Sequence, residues 1–390
     1  MSKILPLTGK PAAAAGAATS PVGEILAEMR AGRMVIIMDD EDRENEGDLI
    51  MAAEHATPEA VAFMIRHTSG IICVPMEEEQ LARLELPQMV PLNSESQRTA
   101  FTVSVDLRTG TTTGVSSGDR AATIRALADP AAKPGDFARP GHIFPLRARR
   151  GGVLVRAGHT EAAVDLCRLA GVKPVGVLCE VMNEDGTMAR LPQLQEFAHR
   201  HQLKIGTIAD LIRHRLRTER SVERLSEHSV QTDLGEFRLY AYQDCVSLEV
   251  HLALAHGRLD GPRAPLVRVH LADTLRDLLG VHGSARTWTL RAAMQRIVEA
   301  GGGVVVVLRQ QESARELGEA VRSFAAAAAP PAAVPEPARG SEGVLRTFGI
   351  GAQILKDLGV TRMRVLSAPK QMHGISAFGL EVEGYVGDAG

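Results

Sequence analysis

The chain has 390 residues, 45% hydrophobic and 23% charged, which is a globular composition too long for one ordinary core, so two domains are expected. Forty-four basic against 47 acidic residues leave a net charge of −3, which excludes a global basic field; neither nucleic acid nor membrane is expected as a partner, and any phosphate must be held locally. The four cysteines, Cys73, Cys167, Cys179 and Cys245, form no CxxC pair, which excludes a disulfide framework or cysteine zinc cage and fits a reducing, cytoplasmic compartment.

Residues 1–18 read as a frayed, alanine-rich tail, and no run approaches the roughly 18 apolar residues of a membrane span. Ser20-Pro21 reads as a helix cap with proline at the first helical position, and Val22, Ile25, Leu26 and Met29 then follow helical spacing. A strand over Met34–Met38, an acidic loop, and a helix opened by Thr57-Pro58 and closed by Gly70 come next. Strands follow over Ile71–Val74, Phe101–Val105 and Val175–Met182, and helices over Asp119–Ala128 and Leu191–His201. The alternation implies a layered α/β or α+β domain over 19–220 without choosing between a parallel and a mixed sheet. Arginines 213, 215, 217 and 220 fall on a helical pattern and read as its solvated face. A second domain is expected over 236–386, with strands over Ser247–Leu252, Leu266–Val269 and Val304–Leu308, interrupted by a proline-rich, flexible insertion at 325–343.

Seven of the ten residues from Asp39 to Asp48 are acidic, directly behind the first apolar strand. From Asp42 onward the spacing imitates an EF-hand loop, but the twelfth position is Ala53 rather than a bidentate glutamate, which argues against calcium. A solvated turn and an active-site loop at the carboxyl end of a strand both remain open. Gly158-His159-Thr160-Glu161 breaks an apolar strand and opens an amphipathic helix, with Thr160 as N-cap; its amides and Arg156 form either an anion site or an ordinary helix start. Glu180 ends the apolar run Val175–Cys179, where a carboxylate is costly unless paired or working.

The blocks DDEDRENEGD, RHTSGIICVPM, TTTGVSSGDR, AKPGDFARPGHIFPL, RAGHTEA and GVLCEVMNEDGTMAR together resemble 3,4-dihydroxy-2-butanone 4-phosphate synthases, over roughly residues 20–217. The resemblance implies a mixed-sheet α/β (α+β) domain and a lyase that converts ribulose 5-phosphate into the butanone phosphate and formate with Mg2+ or Mn2+. By motif position, Glu44 and His159 are then the metal ligands and His142 and Glu180 the catalytic residues. Arg43, Glu44, Asp48, Arg156, Ala157, Gly158, His159 and Thr160 contact the substrate, and a homodimer with the site near its interface is expected. Two protein ligands on a hard divalent ion leave positions open for the sugar's own oxygens. Like-charge repulsion keeps Asp39, Asp40 and Asp42 from joining the ion, so they read as structural or solvated.

From about 236 to 386 the chain resembles GTP cyclohydrolase II, in PLVRVH, GGGVVVVLRQ and RTFGIGAQILKDLGVTRMRVL. That family holds zinc through three cysteines, whereas Cys245 is the one thiol in this half, and the histidines at 256, 270 and 282 lack ligand spacing. No zinc and no GTP hydrolysis are expected of a second α/β domain that keeps the fold.

Overall fold

The computed structural model describes residues 19–41, 43–281, 288–309, 317–318, 321–322, 341–367 and 379–387. It divides into two compact units, one mainly of residues up to 214 and the other mainly of residues from 215 onward.

In the first unit, helix α1 (Val22–Arg30) buries Ile25, Leu26 and Met29, each worth roughly 1.5–3 kcal/mol on transfer from water. Pro21 stands at the cap position, one residue before the helix, rather than inside it. Strand β1 (Val35–Met38) follows, and the acidic loop returns the chain into β2 (Gly47–Ala52), a strand the sequence reading omits. Both strands are buried throughout, so neither shows the two-residue alternation of a half-exposed strand.

Helix α2 (Pro58–His67) is capped by Thr57, whose hydroxyl accepts from Ala60 N, and it ends before Gly70. Strand β3 (Cys73–Met76) starts two residues later than expected, helix α3 covers Glu78–Arg83, and β4 covers only Val105–Leu107, with Phe101 reduced to an isolated bridge. Helix α4 (Ser117–Leu127) leads to β5 (Phe137–Arg147), an 11-residue strand hidden from pattern reading by Pro140, Gly141 and Pro145. The apolar stretch before Gly158 is a single 3-10 turn, Gly152–Leu154, and not a strand. Helix α5 (His159–Ala170), strand β6 (Gly176–Glu180), helix α6 (Leu191–His201), strand β7 (Lys204–Thr207) and helix α7 (Ile208–Thr218) complete the order. On α7 Arg213 and Arg217 are exposed, but Arg215 is buried and paired with Glu219 at 2.6 Å, so the basic run is not uniformly a solvated face.

The strands form one mixed sheet, β4-β5-β3-β6-β2-β1-β7. β1 pairs antiparallel with β2 and parallel with β7, while β2 pairs antiparallel with β6. The register sets Ile37 opposite Asp48 and Asp48 opposite Glu180, so the end of β1, the start of β2 and the end of β6 share one edge.

The second unit is also built on a seven-stranded mixed sheet. Its elements are β8 (Val222–Thr232), β9 (Gly235–Asp244), β10 (Val250–Gly257), β11 (Leu266–Leu271), α8 (Leu290–Glu299), β12 (Gly302–Leu308), α9 (Ser341–Asp357), β13 (Arg362–Leu366) and β14 (Glu381–Val386), in sheet order β14-β13-β11-β12-β10-β9-β8. The sheet thus begins at Val222, upstream of the expected 236, and β10 starts at Val250 rather than Ser247. The insertion expected at 325–343 lies outside the described residues up to 340, and α9 occupies the rest from Ser341. No helix of the described residues is long and apolar enough to cross a membrane.

Candidate active site

Asp39, at the end of β1, organises the acidic loop. Its Oδ1 accepts from Glu46 N at 2.8 Å, and its Oδ2 accepts from Glu44 N at 3.1 Å and from Arg43 Nη1 at 2.8 Å. It is buried and structural rather than solvated. From the other side Arg190, which precedes α6, donates through Nη1 to the carbonyls of Glu44, at 2.6 Å, and Asn45. A loop rich in like charges would splay in water; these donors fold it back on itself. Asp42 lies outside the described residues.

The clamped loop presents Glu44 to His159, the first residue of α5. His159 Nε2 lies 3.1 Å from Ile37 O. A carbonyl can only accept, so Nε2 carries the proton and Nδ1 turns its lone pair toward the loop. Nδ1 stands 3.9 Å from Glu44 Oε2 and 3.8 Å from Asp48 Oδ1, too far for hydrogen bonds. Burial holds the imidazole pKa down to about 4, so the ring is neutral at pH 7. One donor atom each from Asp39, Glu44 and His159 lies within 4.8 Å of the other two.

Asp39 is already engaged by its three donors, whereas Glu44, Asp48 and His159 fit a hard divalent cation. Two atoms each about 2.1 Å from one magnesium ion stand at most about 4.2 Å apart, which accommodates both His159 spans. Asp48 Oδ1 is buried without a hydrogen-bond partner, an orphan whose natural complement is a positive charge. Burial first, and then repulsion from Glu180, Glu44, Glu46 and Asp39, raise the Asp48 pKa well above its ordinary value. The carbonyl behind His159 is the kind of outer partner that fixes a ligating imidazole.

Glu180 joins the group by register, paired across the strands with Asp48. Its Oε2 accepts from Ile71 N at 2.9 Å. Gly70 permits this approach: a Cβ there would run into Glu180 Oε2 and lie 2.7 Å from its carbonyl oxygen. Gly70 is thus the close-packing partner of a site residue and not the end of α2. His142 stands apart on β5, two strand spacings from β6, roughly 10 Å. Its side chain is 45% exposed, and its Nδ1 lies 2.7 Å from Asp106 Oδ2 while its backbone N–H donates to Asp106 Oδ1.

At the N-terminus of α5, Gly158 is the cap, and Thr160 lies inside the first turn instead of capping it. A Cβ on Gly158 would strike Arg156 Nη1 and come within 3.2 Å of Arg43 Nη2, so two guanidinium groups meet over this glycine. Glu161 is 1% exposed and accepts from Arg149 N at 2.9 Å and from Arg156 Nη1 at 2.7 Å, which aims Arg156. Burial raises the Glu161 pKa while Arg156 opposes the shift. Two arginines meeting at the start of α5 make a cradle for a phosphate, and Ala157 in the same turn is buried. Gly158→Ala is expected to raise KM for a phosphorylated substrate about tenfold, the scale of one charge-assisted hydrogen bond, with a smaller change in kcat; steady-state kinetics check this.

Sequence reasoning missed Arg190, Glu161 and Asp106 as supports. Arg190 closes the quoted block GVLCEVMNEDGTMAR, but nothing local says that its guanidinium reaches back to residue 44. In the second unit His256 Nδ1 lies 2.9 Å from Glu236 O and His270 Nε2 lies 2.7 Å from Asp277 Oδ2, while His282 is outside the described residues.

A hard-cation group beside an anion cradle, at one edge of a mixed sheet, is the site of an enzyme acting on small phosphorylated molecules. Residues 23–214 match the family model of 3,4-dihydroxy-2-butanone 4-phosphate synthase, and residues 223–387 match that of GTP cyclohydrolase II. The chain is 51% identical over 369 residues to a Pseudomonas aeruginosa protein named 3,4-dihydroxy-2-butanone 4-phosphate synthase, covering 95% of this chain and 99% of that one. A solved structure of a two-domain 3,4-dihydroxy-2-butanone 4-phosphate synthase from A. baumannii matches with TM-score 0.80 and 43% identity, over 95% of this chain and 100% of that one. Another synthase structure, in complex with two magnesium ions, matches 51% of this chain and 98% of its own with TM-score 0.50 and 47% identity. The chain belongs to the 3,4-dihydroxy-2-butanone 4-phosphate synthase family, as an enzyme of riboflavin biosynthesis with a GTP cyclohydrolase II-like second domain.

Proposed function

We propose that the first unit converts D-ribulose 5-phosphate into L-3,4-dihydroxy-2-butanone 4-phosphate and formate, with Mg2+ or Mn2+ held by Glu44 and His159. The observation that carries this reading is the lone pair of His159 Nδ1 facing Glu44 and the orphan oxygen of Asp48. A divalent ion, when bound there, supplies the charge that polarises the substrate ketone and stabilises the anion left by loss of the C3 proton.

The protein's own groups do the rest. Arg43, Arg156 and the amides after Gly158 hold the phosphate and fix the sugar's register against the loop. Asp48, its pKa raised by burial first and then by repulsion from Glu180 opposite it across β2 and β6, is placed to give a proton, and Glu180 offers a carboxyl oxygen beside it. His142, oriented by Asp106 and exposed, is a third acid–base group. The enzyme works as a cytoplasmic homodimer with its site near the interface. Sedimentation equilibrium at micromolar concentration is expected to give twice the mass of one chain, and a monomeric mass would overturn the dimer.

The second unit does not hydrolyse GTP. Supporting this, the sequence offers one cysteine, Cys245, where three thiolates would be needed, and that thiol is exposed. The A. baumannii relative is likewise named for its synthase activity alone. Formate is expected from ribulose 5-phosphate, abolished by chelator, and not from GTP; zinc bound stoichiometrically with formate released from GTP would make the chain bifunctional instead.

A further inference from the structure

The second unit has a cavity of about 330 Å³ where β10 ends and β11 and β12 begin, lined by Arg258, Asp260, Arg263, Gly301, Gly302 and Arg364 among others. Three arginines face one carboxylate on its wall, a formal excess of two positive charges from three minus one. That carboxylate is already engaged: Arg258 holds Asp260 in a fork, Nε to Oδ1 and Nη2 to Oδ2 both at 3.1 Å. Among the described residues neither Arg263 nor Arg364 has a carboxylate within ion-pair distance, and nearby Glu383 pairs with Arg362 at 2.9 Å instead.

Arg364 is not a loose surface side chain. It is half-buried on β13, and its Nε donates to Ala264 O at 3.1 Å, which fixes the guanidinium plane. Burial first, and then repulsion by Arg263 and Arg296, draw its pKa below the ordinary guanidinium value, with Glu383 opposing the shift. Among the described residues Arg296 in turn pairs with Glu299, at 3.6 Å. A chain with a net charge of −3 has concentrated positive charge here for a local reason.

We propose that this cavity binds a small phosphorylated anion between Arg263 and Arg364, a second ligand site separate from the acidic loop. Its volume sits at the lower end of small-molecule pockets, roughly 300–1,000 Å³, which suits one compact ligand rather than a macromolecular surface. Planar guanidinium forks match phosphate oxygens two at a time, whereas lysines in the same place would offer only point charges. The site lies where β11 and β12 start, so a ligand there engages the loop 258–265, which carries Arg258, Asp260 and Arg263.

The test is calorimetric titration of the full chain with inorganic pyrophosphate at constant ionic strength, compared with the double variant Arg263→Gln, Arg364→Gln. The wild type is expected to bind one more pyrophosphate per chain than the variant, whatever the cradle at Gly158 takes up, while turnover of ribulose 5-phosphate stays within about twofold. Arg263→Gln alone, at an exposed position that the fold does not need, is expected to weaken this site about tenfold, and serves if the double variant is unstable. Equal stoichiometry and affinity in wild type and variants would overturn the proposal, and loss of lyase activity alone would leave that outcome unaffected.

Discussion

Glu44→Gln and His159→Gln are each expected to lower turnover of ribulose 5-phosphate by about 10³-fold or more while the protein remains folded. Removing a ligand forfeits several kcal/mol of charge stabilisation in the transition state, and each 1.36 kcal/mol is tenfold in rate. The losses should be unequal in kind. Glutamine at 44 keeps the shape of the loop, because Asp39 and Arg190 hold it through backbone groups of Glu44. Glutamine at 159 also removes the contact to Ile37 O that fixes the ring. A second readout separates metal loss from damage to chemistry. At a magnesium concentration 100 times Kd, binding to the native state alone stabilises by about 2.7 kcal/mol, which thermal unfolding reads directly. Both variants should lose that increment. Near-normal activity in either, at modest magnesium, would remove it from the ligand set.

Some of this was legible in the sequence and some was not, for identifiable reasons. Helix α6 has its expected bounds, Leu191–His201, because proline at its second position and a strong apolar face mark it locally. β2 was invisible because Gly47–Ala52 is buried on both faces and begins with a glycine and an aspartate. β5 was hidden by its prolines, and β8 by an exposed edge position that leaves only weak alternation. The acidic loop drew attention by charge alone, but its role depends on distance in space. Residue 44 meets residue 159 because β1 and α5 share Ile37 O, and no local pattern encodes that meeting. Asp39 shows the same limit from the other side: sequence logic kept it off the ion by repulsion, and the fold gives it three donors of its own.

Asp48→Asn is expected to move stability and activity in opposite directions. One oxygen of the carboxyl has no hydrogen-bond partner, and burial first, then repulsion from four other carboxylates, raise its pKa above the ordinary 3.8. A carboxylate whose folded pKa is raised is no burden below its unfolded value. It opposes folding increasingly as pH climbs from there toward the folded value, and the penalty stays constant above that. In chelator at neutral pH the asparagine chain should therefore be more stable than wild type, because an amide escapes the ionisation penalty, which is about 1.4 kcal/mol for each unit by which the folded value exceeds the unfolded one. The advantage should shrink as pH falls toward the unfolded value of 3.8 and vanish below it, where the wild-type carboxyl is protonated in both states. Magnesium should reverse the order, since the charge that destabilises the empty loop complements the ion. Turnover should fall by about 10²-fold or more, the scale of a positioned acid or base. Equal stability of the two chains in chelator across this pH range would show that the Asp48 charge carries no strain in the empty site. The acidic cluster would then be a solvated turn after all.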